Sequence, residues 1–252
     1  MKLRAIHVAG RSHWRRLVVL GAALGAAIAA TLATTLPSQA APSGLPGIDV
    51  SSYQGSIDWS AVKAAGTQFA YMKATEGTDF IDSSFSANYT GSYNAGLIRG
   101  AYHFARPGSS SGADQANYFA AHGGAWSADN QTLPGMVDLE GDCAGLSQSS
   151  MVSWIHDFAN TYKADTSRDV VIYTTASWWS SCTGGSTDFG STNPLWVANW
   201  GASSPAMPAG WSTYTFWQYA DDGSVSGVSG AVDSDVFNGT ADRLLALANN
   251  TA

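Results

Sequence analysis

Leu133-Pro134-Gly135-Met136-Val137-Asp138-Leu139-Glu140 reads as a buried strand that runs directly into two carboxylates. Side chains two apart on a strand share a face, so Asp138 and Glu140 project together, roughly 7 Å apart along the backbone. Two acids side by side at the margin of an apolar core repel each other and resist ionising together. The plain alternative is a pair of solvated loop acids that happen to follow a strand. The sharper reading is the acid pair of a glycosidase, and the rest of the chain decides between them.

Outward from this stretch, short apolar runs recur at 47–51, 69–75, 98–104, 134–140, 170–174, 195–200 and 215–219. They are near-continuous rather than alternating, as expected of parallel strands covered on both faces. Between the early runs lie helical segments. Residues 58–65 stop at Gly66 and 83–95 stop at Gly96, while 149–163 places Val152, Ile155, Phe158, Ala159 and Tyr162 on one stripe. The stretches 175–193 and 201–214 are rich in Gly, Ser, Thr and Pro and show no helical period. The link 221–230 is too short for a right-handed crossover, so the last strand, near 231–236, is expected to run antiparallel. Residues 242–249 close the chain as a short helix with Leu244, Leu245 and Leu247 as core contacts. The fold class expected is α/β: an irregular, incomplete (β/α) TIM-like barrel with helices missing in its second half and an antiparallel last strand.

The first forty residues read as a secretion signal rather than as fold. Lys2, Arg4, Arg11, Arg15 and Arg16 make a basic start, 17–36 is almost wholly apolar or small, and Ser38-Gln39-Ala40 suits cleavage after Ala40. A retained membrane anchor is the alternative. Arg15-Arg16 leaves twin-arginine and general secretory export both open. The expected layout is a signal at 1–40 and a single catalytic domain at 41–252, secreted and extracellular. The chain has 12 Lys+Arg and 19 Asp+Glu, and the signal holds five of the bases and none of the acids. The exported part is left with 7 against 19, a net charge of −12. That balance argues against nucleic acid or an anionic membrane as partner after cleavage. No oligomer signal is visible, and a monomer is the default expectation.

Cys143 and Cys182 are the two cysteines, and in an oxidising compartment they are expected to pair. With the scattered His103, His122 and His156 they form no metal-ligand spacing, so neither a metal nor another cofactor is expected.

In barrels of this kind the reactive groups sit where parallel strands end. Those ends carry Asp49, Glu76, His103, the Asp138/Glu140 pair, Tyr173, Trp200 and Gln218, and the start of an antiparallel last strand adds Asp233. Each has a structural alternative. Asp49 could cap a turn before Ser51, Asp233 could sit in a surface turn with Asp235, Glu76 could be a turn acid or ion-pair partner, and His103 reads as a satisfied core histidine.

At these residues the chain resembles glycoside hydrolase family 25, the muramidase lysozymes, and in particular their secreted actinomycete members of the cellosyl type. The matching segments are Gly47-Ile-Asp-Val-Ser-Ser-Tyr-Gln-Gly55, Phe69-Ala-Tyr-Met-Lys-Ala-Thr-Glu-Gly77, Arg99-Gly-Ala-Tyr-His-Phe104, Val137-Asp-Leu-Glu140, Phe216-Trp-Gln-Tyr219 and Val228-Ser-Gly-Ala-Val-Asp233. They stand in the family's order and cover essentially all of 41–252. The resemblance implies an incomplete (β/α) barrel and cleavage of the β-1,4 bond from N-acetylmuramic acid to N-acetylglucosamine in peptidoglycan. It places the catalytic acids on Asp49, Asp138, Glu140 and Asp233, with Glu140 as proton donor. Asp138 is then a nucleophile or, the favoured reading, the group that orients the substrate's own acetamido oxygen, with retention. Tyr102, Tyr173, Trp200 and Glu76 are the candidate sugar-binding residues. Two rivals remain at this stage: a chitinase-like hydrolase, which also uses an Asp-x-Glu strand end, and a silent wall-binding module of the same fold.

Overall fold

The computed structural model describes residues 42–251, so the expected signal at 1–40 lies outside the described residues. Seven strands run parallel around a barrel: β1 (Leu45–Val50), β2 (Phe69–Glu76), β4 (Ile98–Phe104), β5 (Met136–Asp138), β6 (Val171–Thr174), β7 (Leu195–Ala198) and β8 (Phe216–Gly223). The eighth, β9 (Val232–Phe237), lies antiparallel to both β8 and β1 and closes the ring. A two-residue strand, β3 (Phe80–Ile81), pairs with the end of β2 as a spur outside the ring. The expected α/β TIM-like barrel with an antiparallel last strand is therefore the fold observed. The link between β8 and β9 is short, so the chain returns as a hairpin instead of crossing over.

Among the described residues the α-helices are α1 (Trp59–Ala64), α2 (Phe85–Asn94), α3 (Gly112–Phe119), α4 (Gln148–Thr166), α5 (Ala176–Thr183) and α6 (Ala241–Asn249). No helix stands between β7 and β8 or between β8 and β9, which is where the barrel is incomplete. The second half is less bare than the sequence suggested, because 175–193 contains α5. Its helix is made by its ends and its core contacts rather than by periodicity. The Thr175 hydroxyl accepts from the Trp178 N–H at 3.0 Å, Gly184 terminates it in the left-handed region, and Trp178 and Trp179 are buried beneath it. The strand expected over 134–140 is only Met136–Asp138, so Glu140 stands two residues beyond it, on the rim. In α6, Leu244 is buried and Leu247 partly so, but Leu245 faces solvent, contrary to its expected core role.

The barrel interior is filled by rings. Phe69, Tyr71, Trp196, Phe216 and Phe237 form one edge-to-face and stacked cluster, with ring centroids 4.8–6.1 Å apart. Two glycines make room for it. A β-carbon on Gly47 would run into the Phe69 ring, and one on Gly100 into the Tyr71 ring. A second apolar layer lies between the barrel wall and α3, α4 and α5, built on Phe119, Trp154, Phe158, Tyr162 and Trp179. The Cys143–Cys182 disulfide forms as expected, joining the loop after β5 to α5 across 39 residues. The aromatic plug matters for function because it seals the barrel below the level of the acids. The polar groups at the strand ends face an open cleft above it.

Candidate active site

Asp49 is the fifth residue of β1, and its direct neighbour across the sheet is Asp233 on β9. Asp138 ends β5 between Phe104 of β4 and Tyr173 of β6. Because β9 runs antiparallel, its first residues share an end of the barrel with the last residues of β1 and β5. One cleft of about 420 Å³ is lined by Asp49, Asp138, Glu140 and Asp233 together. Tyr102, Tyr173, Trp200 and Glu76 line it as well, so every expected catalytic and sugar-binding residue reaches the same cavity. His103 does not. It is fully buried, bonded through Nδ1 to Thr75 at 2.8 Å and through Nε2 to Gln115 at 2.9 Å, and burial drops its pKa to about 4. The core-histidine reading holds.

The sugar-contact candidates differ in what they can offer. Trp200 is half exposed, while Tyr102 and Tyr173 are buried in the cleft wall. The Tyr173 hydroxyl is already committed, donating to Gln218 Oε1 at 2.8 Å. Glu76 takes the ion-pair role: Oε2 receives Lys73 Nζ at 2.6 Å, and Oε1 receives Arg106 Nε at 2.7 Å together with Arg106 Nη2. Burial pushes Glu76 up, but the two cations outweigh it and hold its pKa below the usual range.

Lys73 and Arg106, which the sequence did not single out, are the cations lining the cleft. An irregularity in the β2–β4 pairing between Lys73 and Thr75 breaks the strand alternation there. Lys73 and Glu76, three apart, thereby come to one side, a placement that residue spacing alone would reject. Tyr53, Asp221 and Gln218 also line the cleft. Only Gln218 had a legible signal, its place near the end of the run expected over 215–219; the strand in fact continues to Gly223.

The charge balance here is severe. Burial, followed by the charges of Glu140 and Asp49, pushes Asp138 well above the ordinary carboxylate range. Glu140 is raised by partial desolvation too, but Lys73 and Arg106 oppose the shift. Both members of the pair are thus raised, and Asp138 is the more deeply buried of the two. Asp138 Oδ1 is buried with no hydrogen-bond partner among the described residues, and the residue meets the cleft only through the small part of it that stays exposed.

Burial raises Asp49 to about 6, against hydrogen bonds that pull it down. Burial and the neighbouring Asp49 raise Asp233 to about 8. A carboxyl raised in the folded state favours folding below its unfolded pKa, and that contribution is lost as pH rises toward its folded pKa. For Asp233 the window runs from 3.8 to about 8. Asp233→Asn removes the titration, so its Tm advantage over the parent is expected to grow across that window and to vanish at more acidic pH. Thermal melts of the two proteins over that pH range check this; a constant offset would contradict the electrostatic account.

Residues 48–228 match the family model described as "Glycosyl hydrolases family 25". The chain is 62% identical over 215 residues to "Lysozyme M1" of Streptomyces globisporus, covering 83% of this chain and 73% of that protein. It is 49% identical over 201 residues to the "N,O-diacetylmuramidase" of Chalaropsis sp, covering 75% of this chain and 95% of that one. The crystal structure of a bacterial lysozyme from Streptomyces coelicolor superposes with a TM-score of 0.82 at 61% identity, over 84% of this chain and all of that one.

Proposed function

This chain belongs to glycosyl hydrolases family 25, and from that premise we propose that it is a muramidase. It cleaves the β-1,4 bond between N-acetylmuramic acid and N-acetylglucosamine in bacterial peptidoglycan. The observation that carries this reading is the single open cleft into which Asp49, Asp138, Glu140 and Asp233 all project above a sealed aromatic barrel.

Glu140 is the proton donor. It stands on the exposed rim beyond β5, where a sugar leaving group can reach it, whereas Asp138 is sunk in the wall. Catalysis starts with Glu140 protonated and Asp138 ionised. That state becomes favourable when a ligand N–H bonds the Asp138 carboxylate where it meets the cleft and stabilises the anion there. The acetamido N–H of the muramic residue is such a donor. With it held, the acetamido oxygen attacks the anomeric carbon as Glu140 gives its proton to the departing glycosidic oxygen. An oxazolinium forms; water then opens it, losing a proton to Glu140, and the configuration is retained. Asp49 and Asp233 set the charge of the cleft floor, and Trp200 supplies a face on which a sugar ring stacks. Secretion to an oxidising exterior fits the paired cysteines.

The test is mass spectrometry of digested peptidoglycan. New reducing ends on muramic acid are expected. Reducing ends on glucosamine would replace the assignment with a glucosaminidase, turnover of chitin oligomers in preference to peptidoglycan would favour the chitinase-like reading, and no new ends would leave a binding module.

A further inference from the structure

Asp235 is a buried acid that the mechanism above does not use. It lies two residues along β9 from Asp233, inside the barrel, opposite Gly47 of β1 and Gln218 of β8. It is fully buried, and neither carboxyl oxygen has a well-formed hydrogen bond among the described residues. No ion pair among those residues includes it. The groups that act on it are Asp49, Asp233 and the indole of Trp196, whose own Nε1 is likewise buried and unpaired. An anion there, fully buried, would face two further carboxyls with no ion-pair partner among the described residues, which makes the neutral acid the stable form. A neutral carboxylic acid carries one O–H to donate and one oxygen to accept.

The adjacent amide shows where that donor is useful. Tyr173 Oη and Trp200 Nε1 both approach Gln218 Oε1, each at 2.8 Å. An indole N–H can only donate, so this atom is the carbonyl oxygen and the amide nitrogen faces the other way. It meets Asp49 Oδ2 at 2.7 Å, so that oxygen accepts. The titratable groups acting on Asp49 are Asp233 and Asp235 from β9 and Glu140 from the rim, while Tyr102 of β4 and Asp138 of β5 feel its charge.

We propose that Asp235 is a permanently protonated positioning residue, whose O–H, together with the Gln218 amide, holds Asp49 as an anion at the floor of the cleft. Its second oxygen is left as an acceptor for the neighbouring Trp196 indole. The assignment rests on the muramidase reading for the importance of Asp49, but the protonation of Asp235 does not.

Two substitutions and one spectrum test it. Asp235→Asn keeps size, neutrality, an N–H toward Asp49 and an acceptor toward Trp196. It is expected to retain kcat and the pH profile of the parent. Asp235→Val removes the donor, and kcat is expected to fall about 30-fold, the scale of one lost hydrogen bond to a charged group, with KM little changed. The acidic limb of its pH profile should move upward by about one unit, since a donor that lowers the Asp49 pKa is gone. Infrared difference spectra of parent minus Asp235→Asn at neutral pH should show a protonated carboxyl C=O band, whatever the activity or the folding of the valine variant. A carboxylate band in its place, or an asparagine variant as inactive as one lacking the proton donor, would overturn the proposal. Failure of the muramidase reading would appear instead as the wrong reducing ends with the infrared result intact.

Discussion

Glu140→Gln is expected to lower kcat on peptidoglycan by about three orders of magnitude, with KM little changed. Glutamine keeps the shape and hydrogen-bonding reach of the side chain but has no proton to give, so substrate still binds and the glycosidic oxygen must leave as an alkoxide. Because Glu140 lies on the rim beyond β5 and not in the packed barrel, its substitution leaves the fold intact. Turbidity clearance and release of reducing ends measure the loss, and circular dichroism confirms the fold. The loss should shrink on a substrate with a nitrophenolate leaving group, which departs without a proton. If the glutamine variant clears walls at the parental rate, Glu140 is not the proton donor.

Asp138→Asn carries the second large effect, a fall in kcat of about 100-fold. Asp138 lines the cleft, and an oxazolinium developing beside it needs a negative acceptor for its N–H. Asparagine offers at best a neutral one. The substitution alone does not separate a substrate-orienting role from a nucleophilic one, but substrate chemistry does. Fluorinating the acetamido methyl weakens the carbonyl oxygen as a nucleophile, so the parent enzyme should slow steeply on the N-trifluoroacetyl substrate. A glycosyl ester trapped on Asp138 would show instead that Asp138 itself attacks the sugar.

The barrel was legible because its parallel strands are buried on both faces and read as continuous apolar runs, each stopping at a polar or aromatic residue. The antiparallel return of β9 followed from a link too short for a crossover. What escaped was structure whose cause is not periodic. Helix α5 has few apolar residues in register, and its signals are the Thr175 cap and the Gly184 stop, which count only once the two buried tryptophans give the segment something to pack against. Helix α3 begins in the same way, at Ser111, whose side chain accepts from the Asp114 N–H. Within the site, the four catalytic candidates lay at strand ends and could be read there. Asp235 was visible only as the far member of Asp-Ser-Asp, and a surface turn explained it equally well until the register of β9 put both acids inside. Lys73 and Arg106 were invisible for another reason. Their convergence on Glu76 depends on a pairing irregularity in β2 and on the loop after β4, neither of which leaves a mark in composition.

The Cys143–Cys182 bond has a dynamic consequence. Cys143 follows Glu140 by three residues, and its other anchor is inside α5. A loop leaving a barrel strand ordinarily fluctuates on its own at low free-energy cost. This one is fastened at its start by β5 and at its third residue past the acid by a covalent bond to a helix whose tryptophans are buried. Opening of 141–144 is thereby linked to loosening of α5, and reduction should uncouple them: amide hydrogen exchange in 141–144 should rise while α5, held by its buried tryptophans, stays protected. The disulfide narrows the range of positions open to Glu140.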